Sequence, residues 1–141
     1  MVWLALGICP LCAAFGLDLS PGTQNFASNL DVAFSPFDLT NAAAVTVNDT
    51  DPGSLATWTL YIKADSEFAS VADPSITASA AQLSYRVNGG SYSNLTTANV
   101  QIASGTPGTF AYTLDYRLAI DLSLTAMSDY RTTVVYTLIG I

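Results

Sequence analysis

The sequence predicts an all-β protein, an antiparallel β-sandwich of Ig-like type with about eight strands. Three observations carry that expectation. From Phe110 to Leu124 every even position is apolar (Phe110, Tyr112, Leu114, Tyr116, Leu118, Ile120, Leu122, Leu124), while the odd positions hold Ala111, Thr113, Asp115, Arg117, Ala119, Asp121 and Ser123. A period of two is that of a strand with one buried face. Turn-forming residues recur about every ten residues, the rhythm of short antiparallel strands. Thr, Ser, Ala, Val and Tyr are abundant, a mix that favours strands over helices. No coiled-coil heptad, internal repeat or amphipathic helix competes with this pattern. The chain has 141 residues, half of them hydrophobic, enough for one domain with a substantial core.

The elements follow in order. Residues 1–16, MVWLALGICPLCAAFG, are apolar and uncharged. They are too short to span a bilayer as a helix and end in small residues before Leu17, as a secretory signal does. The segment lacks the Lys or Arg that usually opens a signal, and a short uncleaved anchor is the alternative reading. With the leader removed, residues 17–141 form a single secreted domain without an integral membrane span. Cys9 and Cys12 both fall in the leader. Their CPLC spacing has no strand-helix context and is not read as a redox pair.

Pro21-Gly22 marks a turn. Val32 and Phe34 alternate with polar or small neighbours and predict a short strand before Pro36. Asn41 to Asn48 is a further strand, and Asn48 to Ser54 (NDTDPGS) a turn cluster. In Ala56 to Ala64, Trp58, Leu60 and Ile62 take one face and Thr57, Thr59, Tyr61 and Lys63 the other. Asp65 to Ser79 is expected to be irregular, tucked onto the sandwich by Phe68, Val71 and Ile76. Ala81 to Tyr92 is a hairpin, with Asn88-Gly89-Gly90 supplying residues that tolerate positive φ. Val100 and Ile102 mark a short strand, and Ser104 to Gly108 a turn. Straight, the 110–124 stretch would span roughly 50 Å, so it is expected to bend or to be two strands in line, serving more than one partner. A turn at 125–129 leads into a last strand, Tyr130 to Ile139.

The available chemistry is sparse. The chain has no histidine, one glutamate (Glu67), four basic residues and eleven acidic ones, for a net charge of -7. Without histidine the commonest general base, the nucleophilic triads and the commonest zinc ligand are absent. Asp115 and Asp121, six residues apart on one strand face, would be roughly 20 Å apart, whereas glycosidase carboxylates sit about 5–10 Å apart. No glycine-rich phosphate loop opens a helix. The expectation is a non-enzymatic protein without a cofactor. So few cations speak against nucleic acid and against electrostatic docking on anionic lipid. Asn48-Asp49-Thr50-Asp51 offers oxygen ligands suited to calcium but lacks the full loop spacing and a bidentate Glu, so it is read as a turn and no metal is assigned. Tyr61 and Tyr92 are the aromatics least committed to the core, and they are the candidates for stacking on a sugar ring.

Two strands carry a family pattern. One contains Trp58-Thr59-Leu60. The other runs from Tyr130 through Val134 and Tyr136 to Leu138. Residues 42–141 thereby resemble the WxL domain, a secreted cell-surface module of Gram-positive bacteria with an early W-x-L strand and a distal Tyr-x-x-x-apolar-x-Trp-x-Leu strand. Trp58 and Leu60 match the first motif; Tyr130, Val134 and Leu138 match the second, with Tyr136 where the second Trp would stand. The resemblance implies non-covalent attachment to cell-wall polysaccharide or peptidoglycan. Two further readings stand beside it. One is a structural subunit of an extracellular fibre, self-associating by strand addition. The other is a carbohydrate-binding module.

Overall fold

The computed structural model describes residues 15–20, 35–50, 57–119 and 130–140. The leader up to residue 14, the expected strand at Val32 and Phe34, and the 51–54 part of the turn cluster lie outside the described residues. So do the second half of the organising stretch from Ile120 and the turn at 125–129.

Eleven strands lie among the described residues: β1 (Phe15–Ser20), β2 (Phe37–Asp49), β3 (Trp58–Ala64), β4 (Phe68–Ser70), β5 (Thr77–Ala78), β6 (Leu83–Val87), β7 (Ser93–Asn94), β8 (Val100–Gly105), β9 (Gly108–Leu118), β10 (Tyr130–Arg131) and β11 (Val134–Gly140). All pairings among them are antiparallel. The protein is thus all-β, but its strands form three sheets where the sequence led us to expect two. A five-stranded sheet has the order β1-β2-β9-β6-β7, a three-stranded sheet the order β11-β3-β8, and a small sheet the order β10-β4-β5. The extra sheet comes from the segment expected to be irregular. Phe68 pairs with Ala78, Ala69 with Thr77 and Arg131, and Ser70 with Tyr130. Pairings of two or three residues are too short to leave an alternation in the sequence. Phe68 packs on the core, whereas Val71, expected to tuck in beside it, is 52% exposed.

Strand β9 is the first part of the organising stretch, and it serves two partners. Gly108 to Leu114 and Tyr116 to Leu118 pair with β2, and Leu114 to Leu118 also pair with β6. The β2–β9 register slips between Leu39 and Ala43, where Asn41 adopts φ 50°. Asn is among the few non-glycine residues that enter this left-handed region readily. The hairpin from β6 to β7 turns on Asn88 (φ 49°) and Gly89 (φ 72°). Asn88 closes the turn onto β9, its side-chain oxygen accepting from the Thr113 N–H at 2.8 Å.

The core draws on both larger sheets. Val45, Val47, Leu114 and Tyr116 come from the five-stranded sheet; Trp58, Leu60 and Ile62 come from the three-stranded one. The Trp58 ring bridges the two, with centroids 5.3 Å from Phe110 and 6.4 Å from Tyr112 on β9. Its indole N–H donates to the Thr106 carbonyl at 2.8 Å, so the buried ring leaves no polar atom unpaired. Gly105 makes room for it: a Cβ there would stand 2.6 Å from the ring.

Candidate functional site

Strands β3 and β11 pair residue for residue, with Leu60 opposite Leu138, Ile62 opposite Tyr136, Ala64 opposite Val134 and Trp58 opposite Gly140. Directly paired residues share a face, so this register puts the motif side chains together on the inner face. Trp58 and Leu60 have no exposure. Val134, Tyr136 and Leu138 are half-buried and pack against the core. The Tyr136 and Tyr116 hydroxyls hydrogen-bond to each other between the two sheets. Burial pushes the Tyr116 hydroxyl up to about 12 and raises that of Tyr136 as well, so both stay protonated in ordinary conditions. Tyr130 stands apart in the small sheet, opposite Ser70, and its hydroxyl is buried without a partner. The motif side chains therefore fill the interior.

The opposite face of the same sheet is different. Thr59, Tyr61 and Lys63 of β3 line up with Ile139, Thr137 and Val135 of β11, and Thr59 and Tyr61 with Ser104 and Gln101 of β8. Gln101 and Ser104 are exposed, Tyr61 half-buried. At the end of this face lies an open cleft of about 390 Å³, bordered by Thr57, Thr59, Gln101, Ser104 and Thr106 with Trp58 and Gly105 beneath. Its rim offers hydroxyl and amide groups, which both donate and accept, and no formal charge. Such groups match the hydroxyls of a neutral sugar, and an adjacent tyrosine supplies an apolar face for the ring. Tyr61 was readable as a candidate because it sits opposite a buried row. Gln101, Ser104 and Thr106 were missed, since only the β3–β8 pairing brings them beside it.

Tyr92, the other candidate aromatic, lies elsewhere, over the outer side of the five-stranded sheet. Two guanidinium groups stand over its ring, Arg117 at 4.1 Å and Arg86 at 4.8 Å, a cation–π arrangement. Each arginine also holds a carboxylate. Arg86 meets Asp115 at 2.7 Å, and Arg117 meets Asp38 through two bonds of 2.7 and 2.9 Å. Asp115 additionally accepts from the Asn41 N–H at 2.6 Å. That bond, with Arg86 beside it, holds the Asp115 carboxyl below its usual range, and the Arg117 hydrogen bond does the same for Asp38. The cluster satisfies its own charges. Asp121, once a conceivable acid partner for Asp115, lies outside the described residues.

Asn48, expected to close a strand, and Asp49, expected in a turn, are the last residues of β2. Asn48 donates to Asp18 at 2.8 Å. Asp49 has no exposure, and neither of its carboxylate oxygens has a hydrogen-bond partner. It continues the inward row of Val45 and Val47 instead of facing a loop. Asp51 lies outside the described residues. Among the described residues no group of three His, Cys, Asp or Glu side chains is placed to hold a metal, and no helix is long and apolar enough to cross a membrane. No family model matches the chain, and neither a curated protein nor a solved structure matches it.

Proposed function

We propose that this chain is a secreted, non-enzymatic cell-surface protein whose two larger sheets form an Ig-like β-sandwich and whose sparsely charged outer face, around Tyr61 and the uncharged Thr59–Gln101–Ser104 cleft, holds cell-wall polysaccharide. The single observation that carries this reading is the division of labour on β3 and β11. The motif side chains Trp58, Leu60, Tyr136 and Leu138 turn inward, which leaves outward a face of hydroxyl, amide and tyrosine groups with Lys63 as its one charge. The resemblance to the WxL domain and the apolar leader both point to the cell surface. A protein of net charge -7 cannot rely on cation-driven attraction to anionic wall polymer. Hydrogen bonding and stacking do not need it.

The test is co-sedimentation with isolated bacterial wall, with insoluble cellulose and chitin as controls and the wall assayed for released fragments. The expected result is retention by wall in moderate salt with no hydrolysis. Equal recovery in all three pellets would indicate general stickiness, and release of wall fragments would overturn the non-enzymatic reading. A second reading, a subunit of an extracellular fibre, is favoured by β11, a regular uncharged strand at the edge of its sheet.

A further inference from the structure

We infer that the outer edge of β11 pairs with β11 of a second copy of this chain, antiparallel and two-fold about Thr137. Among the described residues β11 is hydrogen-bonded to β3 alone and forms the edge of its sheet. Sheet edges in natural proteins are defended by charge, bulges or shortness. The other edges here carry such devices: β7 and β10 are two residues each, and so is β5; β1 carries Asp18; β8 has a register shift opposite Leu60 and Tyr61. Strand β11 has none of them. It is seven residues, VVYTLIG, without charge or proline, and its seven pairs with β3 run without a register shift.

The strand is also complementary to itself. Centred on Thr137, an antiparallel self-pair sets Val135 opposite Ile139, Thr137 opposite Thr137 and Tyr136 opposite Leu138. Every outer-face pair is then β-branched on both sides, the kind of cross-strand contact that stabilises a sheet. The pairing covers Ile139, an exposed large hydrophobic residue at 44% exposure. Charge points the same way. Two copies of a chain with net charge -7 repel, and β11 lets them meet without placing like charges opposite each other. A seven-residue edge is about 23 Å long and about 10 Å thick, so the two partners together bury on the order of 460 Å². A stable interface needs about 1,200 Å² or more. The pair is therefore transient and concentration-dependent.

Pairing makes one six-stranded sheet, with both outer faces on the same side. The two hydroxyl-lined clefts then lie roughly 20 to 25 Å apart, a bivalent grip on one polymer. This last consequence rests on the wall-binding reading; the pairing does not.

The full chain, without wall polymer, is examined by sedimentation velocity from roughly 10 µM to about 1 mM, the range in which a weak pair forms. The expected result is a reversible monomer–dimer equilibrium. Thr137→Lys and Thr137→Glu each set two like charges at the two-fold and weaken dimerisation about tenfold or more, and an equimolar mixture restores it. A monomer throughout, or a mixture no more associated than either variant alone, overturns the proposal. So does a ladder of higher oligomers, which requires a head-to-tail contact in place of a closed pair. Because no polymer is present, the result is independent of whether the protein binds wall.

Discussion

The outer sides of the two larger sheets are built from opposite materials. Over the five-stranded sheet, Asp38, Asp115, Arg86 and Arg117 interlock across β2, β9 and β6, and Tyr92 lies beneath both guanidinium groups. Over the three-stranded sheet, Thr59, Tyr61, Thr137, Gln101 and Ser104 form rows in which Lys63 is the one charge on β3, β8 and β11. The first face has spent its charges on itself and serves to bind three strands together. The second has hydroxyl, amide and aromatic groups free to meet another molecule. A conspicuous cluster of charge is thus the structural element here, and the bland face is the better candidate for function.

The largest expected effect comes from the core that both sheets share. Trp58→Ala removes the ring that bridges β3 and β9 and should cost about 3–5 kcal/mol, read by chemical denaturation. Near-native stability would place Trp58 outside the core and erase the inner-outer distinction on β3. Asp49 sharpens the comparison from the other direction. It is as buried as Trp58 but has no partner for either oxygen, and an unsatisfied buried group costs about 1–3 kcal/mol. Asp49→Val, which extends the row of Val45 and Val47, should raise stability by a similar amount. A loss would mean that the carboxylate has a partner that matters.

The charged face predicts an acid dependence. Asp38 and Asp115 have carboxyls held below their usual value of 3.8. The stability they contribute is present above that value and is lost as pH falls through the lowered folded one. Asp115→Asn should lower stability by a constant amount near neutrality and flatten the acid limb of a stability-against-pH curve. An unaltered acid limb would show that the cluster is not the source. The Arg117–Asp38 pair is exposed and the Arg86 end of the other pair is partly exposed although Asp115 itself is buried; such pairs contribute little each and are screened by salt, so this effect should be smaller than the first two.

Much of the strand framework was legible in the sequence. The alternation in Trp58–Ala64 identified β3 and its buried face, because a half-buried strand must alternate; that in Phe110–Leu118 identified β9 and the buried Leu114 and Tyr116, whereas Phe110 at the end of the row is exposed and Asp115 on the other face is buried. Asn88-Gly89 identified its hairpin, because few residues accept positive φ. The small sheet was not legible, since β4, β5 and β10 are two or three residues long and are held by partners distant in the chain. Asp49 was misplaced into a turn because its polarity signals a loop, while its position continues the buried row of β2. The site was half legible. Tyr61 stood out opposite an apolar row, but its neighbours Gln101 and Ser104 come from a strand about forty residues away, and only register places them. Tyr92 looked equally free, because nothing local reveals that Arg86 and Arg117 would converge on its ring.

Tyr61→Ala tests the division between the two faces most directly. The substitution lies on the outer row of β3, so stability should change by only about 1 kcal/mol. In co-sedimentation with isolated cell wall at moderate salt, the native chain should pellet and Tyr61→Ala should stay largely in the supernatant, while Tyr92→Ala pellets like the native chain. Equal pelleting of native protein and Tyr61→Ala, or loss of binding in Tyr92→Ala alone, would contradict the assignment of function to the outer face of the three-stranded sheet.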